Sequence, residues 1–160
     1  MNEVAKLLIE CFKNGNKVLV IGNGGSCEMA SHFAAEMVCR FVKYRKALPA
    51  IALSDPAVIT SIANDFGYKY IFSRQIEALG KERDILLIFT TSKHLFVAKD
   101  PVIYEHSENL AHAVDKAKKL NMIPIFAGRH GETTAEIQEY QLNWLHEVCR
   151  IVENEYAKNK

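Results

Sequence analysis

Short apolar runs alternate with longer stretches of helical periodicity along this chain. Four runs are almost continuously apolar, which is typical of strands buried on both faces of a sheet. They occupy residues 17–21, 50–53, 84–89 and 122–126. Pro124 lies inside the last run and cannot donate a ladder hydrogen bond, so we expect that strand at an edge of the sheet.

Apolar residues at helical spacing fill the segments between these runs. The spacing predicts an amphipathic N-terminal helix and further helices over residues 26–42, 57–62, 71–79, 108–119 and 134–156. Ser107 is a suitable N-cap for the helix that follows it. Residues 93–105 break the periodicity and are predicted to form a loop or lid.

Strands that alternate with helices predict a parallel, doubly wound sheet. We expect one domain over residues 1–160, with four to five strands in a flavodoxin-like α/β/α sandwich. Ligands of such sheets bind beyond the carboxyl ends of the strands. The loops at 22–26, 54–55 and 90–92 all follow predicted strands and are therefore candidate binding loops.

Composition narrows the classes of function that the chain can have. Of its 160 residues 49% are hydrophobic and 24% are charged, which is a globular balance, and the formal net charge is only +1. No run of lysine or arginine suggests nucleic-acid binding, and no segment is apolar enough to predict a membrane span. Four cysteines without a C-x-x-C pair predict reduced thiols and a cytoplasmic protein.

The first candidate loop is rich in glycine and leads directly into a predicted helix. Asn23, Gly24, Gly25 and Ser26 could bring N–H groups close to an anion, or could form a plain tight turn. A dinucleotide fingerprint fails here because Cys27 stands where its last glycine belongs. Thr90, Thr91 and Ser92 form a second cluster, whose hydroxyls could bind phosphate oxygens or satisfy the end of the strand.

Two pairs of side chains could carry chemistry. His32 and Glu36 lie four residues apart and share one face of a helix. Gln138 and His146 lie eight residues apart on the last helix and could converge on the same point. Such a set could form an open metal site or an acid/base pair, although pairs of this kind are also common as solvated or capping residues.

Six sequence blocks, taken in order, carry a resemblance to a known family. They are G-N-G-G-S, H-F-A-A-E, A-L-S-D, N-D-F-G-Y with I-F-S-R-Q, T-T-S, and I-Q-E-x6-H. Together they resemble the phosphoheptose (sedoheptulose-7-phosphate) isomerases of the sugar isomerase (SIS) domain class. The resemblance implies a parallel sheet between helices and a homo-oligomer, a tetramer or a dimer, with its active site between subunits. The apolar stripes of the terminal helices are expected to support that assembly.

The resemblance also implies a role for each matching residue. Glu36 corresponds to the general base of the family and His146 to its general acid. A zinc ion is expected on His32, Glu36, Gln138 and His146. The residues expected to bind the sugar phosphate are Asn23, Gly24, Gly25, Ser26, Arg40, Asp55, Thr90, Thr91, Ser92, Ser107 and Gln138.

The departures from the family pattern include an insertion and a deletion in the second half of the chain. Residues 93–105 separate Ser92 from the block of Ser107, where the family has a single glycine, and the segment with the last strand is missing after Gly128. The expected activity is the aldose–ketose isomerisation of sedoheptulose 7-phosphate to glycero-manno-heptose 7-phosphate. The alternatives are a non-catalytic SIS module, which binds a sugar phosphate or a partner protein, and a decayed isomerase. Retention of the set His32, Glu36, Gln138 and His146 favours the enzyme.

Overall fold

A parallel sheet forms the centre of the molecule. The computed structural model describes residues 3–92 and 107–157. The strands are β1 (Val18–Gly22), β2 (Ala50–Ala52), β3 (Ile85–Phe89) and β4 (Ile123–Phe126). All pair in parallel in the order β2-β1-β3-β4, which confirms the predicted doubly wound fold. The predicted loop or lid at 93–105 lies outside the described residues.

Helices cover both faces of this sheet. They are α1 (Glu3–Lys13), α2 (Gly25–Val38), α3 (Pro56–Asp65), α4 (Ser73–Leu79), α5 (Glu108–Lys119) and α6 (Thr134–Tyr156), with a 3-10 helix at Tyr68–Tyr70. Successive strand residues point to opposite faces, so Val18 and Val20 join the core under α1, α2 and α6. Leu19 and Ile21 join the second core, under α4 and α5. Burial on both faces explains the continuous apolar runs of the sequence.

Pro124 occupies the edge strand that its residue type predicted. It lies opposite Leu86 in the register of β3 and β4. The N–H groups of Ile123 and Ala127 donate to the Asp84 and Ile88 carbonyls at 2.8 and 2.9 Å. Because alternate residues of β4 donate to β3, the nitrogen of Pro124 points away from the sheet and its missing proton costs no ladder bond.

The apolar stripes of the terminal helices are used inside the chain. Leu8 and Phe12 of α1 pack in the same core as Leu145 and Val148 of α6. The Tyr156 hydroxyl also donates to the Ile9 carbonyl at 3.1 Å. These stripes are thus used in packing inside the chain, and their part in a subunit contact stays a prediction.

Helix α2 ends at Val38, four residues before the end that periodicity predicts. The chain turns there because distant side chains bind its backbone. Glu153 accepts hydrogen bonds from the N–H groups of Phe41 and Val42, each at 2.8 Å. The predicted helix over residues 26–42 was therefore too long at its end. Apolar spacing carries no information on such a long-range contact.

Asp84 fastens the amino ends of the strands together. Its carboxylate is buried, forms an ion pair with Lys17, and accepts hydrogen bonds from the backbone N–H groups of Lys17 and Lys81 at 3.0 and 2.8 Å. The Asn16 amide donates to it at 3.1 Å. Burial alone would raise the pKa of Asp84, but the bonds from Lys17, Asn16 and Lys81 outweigh it, and the pKa lies below its ordinary value.

Asp84→Asn should lower the free energy of unfolding at pH 7 by roughly 3–5 kcal/mol, because it breaks a buried ion pair. The folded pKa lies below the unfolded value of about 3.9, so this stabilisation is complete above that value and is lost as the pH falls through the folded pKa. Urea unfolding should therefore show a larger difference between the variant and wild type at pH 7 than at pH 3. The exposed Asp115→Asn is the control, and a wild-type midpoint for Asp84→Asn at pH 7 would contradict the assignment.

Candidate active site

A polar cavity lies where β1 and β3 end. Helix α2, which follows β1, packs on one face of the sheet, and helix α5, which comes after β3 in the sequence, packs on the other, so a crevice is left between the ends of the two strands. The cavity has a volume of about 370 Å³. Its lining residues are Asn23, Ser26, Thr90, Thr91, Ser92, Ser107 and Thr134.

Three helices begin at this cavity. Ser26 lies in the first turn of α2, Ser107 is the N-cap residue of α5, and Thr134 is the first residue of α6. Each helix start presents free N–H groups and the positive end of a helix dipole. Of the seven lining residues that the structure describes, six carry a hydroxyl and none is a lysine or arginine. Helix dipoles and hydroxyl groups of this kind can hold an oxyanion.

The glycine loop needs its glycines for two different reasons. Gly24 has φ +54°, a left-handed conformation that favours glycine. A Cβ atom on Gly22 would lie 2.4 Å from the Ser26 carbonyl oxygen. A Cβ atom on Gly25 would lie 2.5 Å from Nε2 of Gln138, so the amide of that residue rests directly on the loop. This contact brings Gln138 to the binding loop, as predicted.

Asn109, which the sequence analysis did not single out, supports the predicted Asn23. The two side-chain amides exchange hydrogen bonds: Asn23 Nδ2 donates to Asn109 Oδ1 at 3.0 Å, and Asn109 Nδ2 donates to Asn23 Oδ1 at 2.7 Å. Asn109 is only 2% exposed. In the sequence, the only signal for Asn109 was a polar residue two positions after the predicted cap Ser107. The pair ties the glycine loop to the start of α5.

Thr90 uses its polar groups at the end of β3, whereas the hydroxyl of Ser107 does not cap α5. Thr90 Oγ1 accepts from the Ser92 N–H at 3.1 Å, and the Thr90 carbonyl accepts from Gln141 Nε2 at 3.0 Å. These bonds fix the loop after β3. Ser107 stands at the N-cap position, but its hydroxyl makes no capping hydrogen bond. The hydroxyl of Ser107 is thus available to the cavity.

Glu36, His32 and His146 meet further along α2. Nε2 of His32 lies 3.2 Å from Oε1 of Glu36. The ring centroids of His32 and His146 are 5.2 Å apart and nearly perpendicular. Phe41 stacks on His146, with 5.2 Å between centroids and 21° between the ring planes. The structure therefore brings the predicted base and the predicted acid together across α2 and α6.

The surroundings of His146 favour its neutral form. Burial lowers the pKa of this imidazole, and the nearby His32 and Arg150 lower it further, against the opposing charge of Glu36. A neutral imidazole can both donate and accept a proton, which suits a group that serves two oxygens in turn. The predicted acid/base role of His146 is compatible with this environment and stays a prediction.

Gln138 stands apart from the other three residues expected to bind zinc. It contacts Gly25, at the start of α2, and lies eight residues, or about 12 Å along the helix axis, before His146. Imidazole, carboxylate and amide groups are suitable zinc ligands. Among residues 3–92 and 107–157, however, no group of three or more His, Cys, Asp or Glu side chains is arranged to hold a metal ion. Zinc binding by these residues stays a prediction.

Five predicted binding residues lie outside the lining of the cavity: Gly24, Gly25 and Gln138, which meet at the glycine loop, and Arg40 and Asp55. Arg40 is exposed beyond the end of α2, where its Nη1 donates to the Val42 carbonyl at 3.1 Å. The Asp55 side chain caps α3 by accepting from the Val58 N–H at 2.9 Å. Their roles in substrate binding remain predictions.

A second cavity, of about 740 Å³, is larger but less suited to a phosphate. It lies beside the first half of α6, and its lining carries three carboxylates against one guanidinium. Those charged residues are Glu132, Glu136, Glu139 and Arg129. Carboxylates at that density repel an anion, so the smaller hydroxyl-lined cavity is the candidate site.

Known proteins match both the sequence and the fold. The family model of the SIS domain matches residues 1–94. The phosphoheptose isomerase of Clostridium acetobutylicum is 40% identical, with 100% of this chain and 84% of that protein covered. Phosphoheptose isomerase 1 of Campylobacter jejuni is 39% identical, with 96% and 86% covered. This chain belongs to the phosphoheptose isomerase family of SIS-domain proteins.

The solved structures of that family agree with the assignment. The phosphoheptose isomerase of Francisella tularensis has a TM-score of 0.82 and 35% sequence identity, and the match covers 94% of this chain and 83% of that one. The enzyme from Neisseria gonorrhoeae has a TM-score of 0.80 at 30% identity, with the same coverage. The fold and the family that we expected from the six sequence blocks are thereby confirmed.

Asn109→Leu should weaken the binding of inorganic phosphate about tenfold, because a near-isosteric apolar side chain leaves Asn23 without its amide partner. Isothermal titration calorimetry measures this change. Asn143→Leu is the matched control, since it makes the same substitution at an exposed position of α6 outside the cavity lining. Equal phosphate affinity in Asn109→Leu and wild type would show that the amide pair does not hold the loop for binding.

Proposed function

We propose that this protein is an aldose–ketose isomerase that interconverts sedoheptulose 7-phosphate and glycero-manno-heptose 7-phosphate. The observation that carries the proposal is the arrangement along α2. This helix starts at a hydroxyl-lined cavity, and two to three turns later it holds Glu36 beside His146. The named activity of the relatives in Clostridium acetobutylicum and Campylobacter jejuni supports the same assignment.

The phosphate group belongs in the hydroxyl-lined cavity. Three helix starts and the hydroxyls of Ser26, Thr91, Ser92 and Ser107 can surround its oxygens. In this substrate the phosphate is at carbon 7 and the reaction takes place at carbons 1 and 2, so binding and chemistry occur at opposite ends. Ser26 and Glu36 are ten residues, or about 15 Å of helix axis, apart. Binding energy from the phosphate can therefore orient the reacting end.

The reaction moves a proton between two neighbouring carbons. The Glu36 carboxylate removes the proton from the carbon beside the carbonyl group, and the electrons of that C–H bond form an enediolate. His146 donates a proton to the carbonyl oxygen and accepts the proton of the adjacent hydroxyl. Glu36 then returns its proton to the other carbon. His32, 3.2 Å from Oε1 of Glu36, leaves the second carboxylate oxygen free to reach the substrate.

Glu36→Gln should lower turnover by roughly 10²–10⁴-fold, since the amide retains the shape of the base and cannot accept the proton. His146→Asn should have an effect of similar size. Sugar-phosphate binding should survive in both variants because neither residue lines the phosphate cavity. Solvent proton exchange into sedoheptulose 7-phosphate, followed by NMR, measures turnover, and Glu28→Gln on the exposed face of α2 is the matched control.

Two outcomes of this experiment would reject the proposal in different ways. If wild type binds the sugar phosphate and never exchanges a proton, the chain is a binding module or a decayed isomerase. If both variants retain wild-type turnover, Glu36 and His146 are structural residues. Protein treated with EDTA and protein supplied with zinc form two further arms, which test the proposed zinc ion on His32, Glu36, Gln138 and His146.

We also propose that the protein is a homo-oligomer, a dimer or a tetramer. Helix α3 is mostly apolar, yet none of its residues is buried, and its Val58 is 39% exposed. Close to it in the sequence, Ile51 on the edge strand β2, Phe66 and Tyr68 are 41%, 51% and 58% exposed. Large apolar side chains that share one side of a molecule favour burial against a second copy.

Light scattering should return a mass that is a multiple of 18.1 kDa at micromolar concentration. Val58→Glu should shift that mass toward a single chain, because it places a charge in the centre of the exposed apolar strip. Val42→Glu is the control, since Val42 is also exposed but lies on the turn between α2 and β2. A monomeric wild type would reject the oligomer, and an unchanged mass for Val58→Glu would reject α3 as its interface.

A cytoplasmic location is the last part of this proposal. All four cysteines lie in described parts of the chain and are free thiols, and Cys39 among them is exposed. An exposed thiol without a disulfide partner suits a reducing compartment. None of the helices in residues 3–92 and 107–157 is both long and apolar enough to cross a membrane.

A further inference from the structure

A buried carboxylate that the reaction does not use lies in the last turns of α6. Glu153 is 1% exposed. One of its oxygens accepts from the Phe41 N–H and the other from the Val42 N–H, each at 2.8 Å. Burial would raise the pKa of Glu153, but the backbone N–H groups of this turn together with Arg45 outweigh it and hold the pKa below its ordinary value. Glu153 is therefore a fixed anion that binds the turn after α2.

The partner of Glu153 is an arginine whose bonds reach the end of α2. The Arg45 side chain is fully buried, and its Nε lies 3.8 Å from Oε1 of Glu153. Its Nη2 donates to the Glu36 carbonyl at 2.5 Å and its Nη1 to the Met37 carbonyl at 2.8 Å. These carbonyls belong to the last turn of the helix, where they lack partners inside the helix. Arg45 thus binds the backbone of the proposed base itself.

The turn that Glu153 holds carries the ring that contacts the proposed acid. Phe41 stacks on the His146 imidazole at 5.2 Å, and His32 meets the same imidazole edge-on. The guanidinium of Arg150, one helical turn after His146, lies 5.8 Å from the Phe41 ring centroid. His146 is therefore confined between two rings, and one of them depends on the Glu153 hydrogen bonds for its place.

We propose that Phe41, Arg45 and Glu153 form a positioning unit that holds Glu36 and His146 in register for proton transfer. The inference rests on the proposed function. Two charged side chains are costly to bury, and an apolar pair of similar volume would often stabilise the fold as well or better. This pair, however, directs five hydrogen bonds to the backbone of residues 36–46. An apolar pair could not fix that backbone, which connects the base to the ring on the acid.

Phe41→Leu tests the contact with the least risk to folding, because Phe41 is only half-buried. Leucine retains apolar bulk and removes the aromatic ring. We expect kcat to fall about tenfold or more with KM unchanged, since the phosphate cavity is not touched and the acid loses its orientation. The His146 ring protons should shift downfield in the NMR spectrum as the ring current of Phe41 disappears. Phe41→Tyr should restore both kcat and the shifts.

Glu153→Gln tests the hydrogen bonds that hold the turn of Phe41 and Val42. The Phe41 and Val42 N–H groups each donate to a different oxygen of Glu153, so in a glutamine at the same place one of the two N–H groups faces the NH₂ group, which is also a donor. We expect the His146 ring protons to shift in the same direction as in Phe41→Leu, with a fall in kcat and an unchanged KM. Val42→Ala is the matched control, because it alters the exposed side chain beside Phe41 and leaves its N–H group in place.

The outcomes separate this inference from the function on which it rests. No turnover in wild type, or wild-type turnover in His146→Asn, would reject the acid/base assignment and the positioning unit with it. An active wild type with unchanged kcat in Phe41→Leu would overturn only the positioning unit, whether or not the His146 protons shift. Equal losses in Phe41→Leu, Phe41→Tyr and Val42→Ala would also overturn it, since they would show general sensitivity of the turn.

Discussion

The direction of the four strands is the constraint on which the site depends. In a parallel sheet every strand ends at the same edge, so the helices that follow the strands begin there with their free N–H groups together. Because β1 lies between β2 and β3, helices α2 and α5, which come after β1 and β3, pack on opposite faces and leave a crevice between the strand ends. The start of α2 and the start of α5 meet in this crevice. Asp84 holds the opposite edge, where β1 and β3 begin.

The helices α2 and α6 divide binding and chemistry along their length. Their first turns contribute Ser26 and Thr134 to the phosphate cavity. About three turns later Glu36 and His146 both lie against His32, and at the far end Glu153 of α6 holds the turn that ends α2. A phosphosugar with its reactive carbons far from its phosphate fits this order. In the proposed function, the same two helices thereby set the distance between the phosphate cavity and the reacting residues.

The sequence predicted the fold well because its strands are buried on both faces. Such strands produce continuous apolar runs, and all four were placed within one or two residues of their observed bounds. Helix ends were harder to predict, as α2 shows. Its last turn is stopped by Arg45 and Glu153, and Glu153 lies more than a hundred residues further along the chain. Periodicity describes which face of a helix is buried, and it carries no information about a contact of that range.

The candidate site was predictable to the extent that its residues follow strands or share a helix face. Asn23, Ser26 and the hydroxyls of 90–92 were found by position, and His32 and Glu36 by their spacing. Thr134, Asn109 and Phe41 were missed because their roles arise only when separate elements pack together. For Arg40 the family pattern predicted a place beside the phosphate, whereas in the single chain its side chain turns to the Val42 carbonyl.

Two residues that the sequence did not point to, Asn109 and Glu153, share a physical property that explains their place in the structure. Both are buried polar groups, and their partners lie on the glycine loop and on the turn after α2. A buried polar group is costly unless it is fully hydrogen-bonded, so each one admits few arrangements of its neighbours. Apolar contacts alone would tolerate small rotations of α2 against α6. The hydrogen bonds of Asn109 and Glu153 prevent such rotations at the two ends of the site. Proton transfer between fixed groups requires this rigidity.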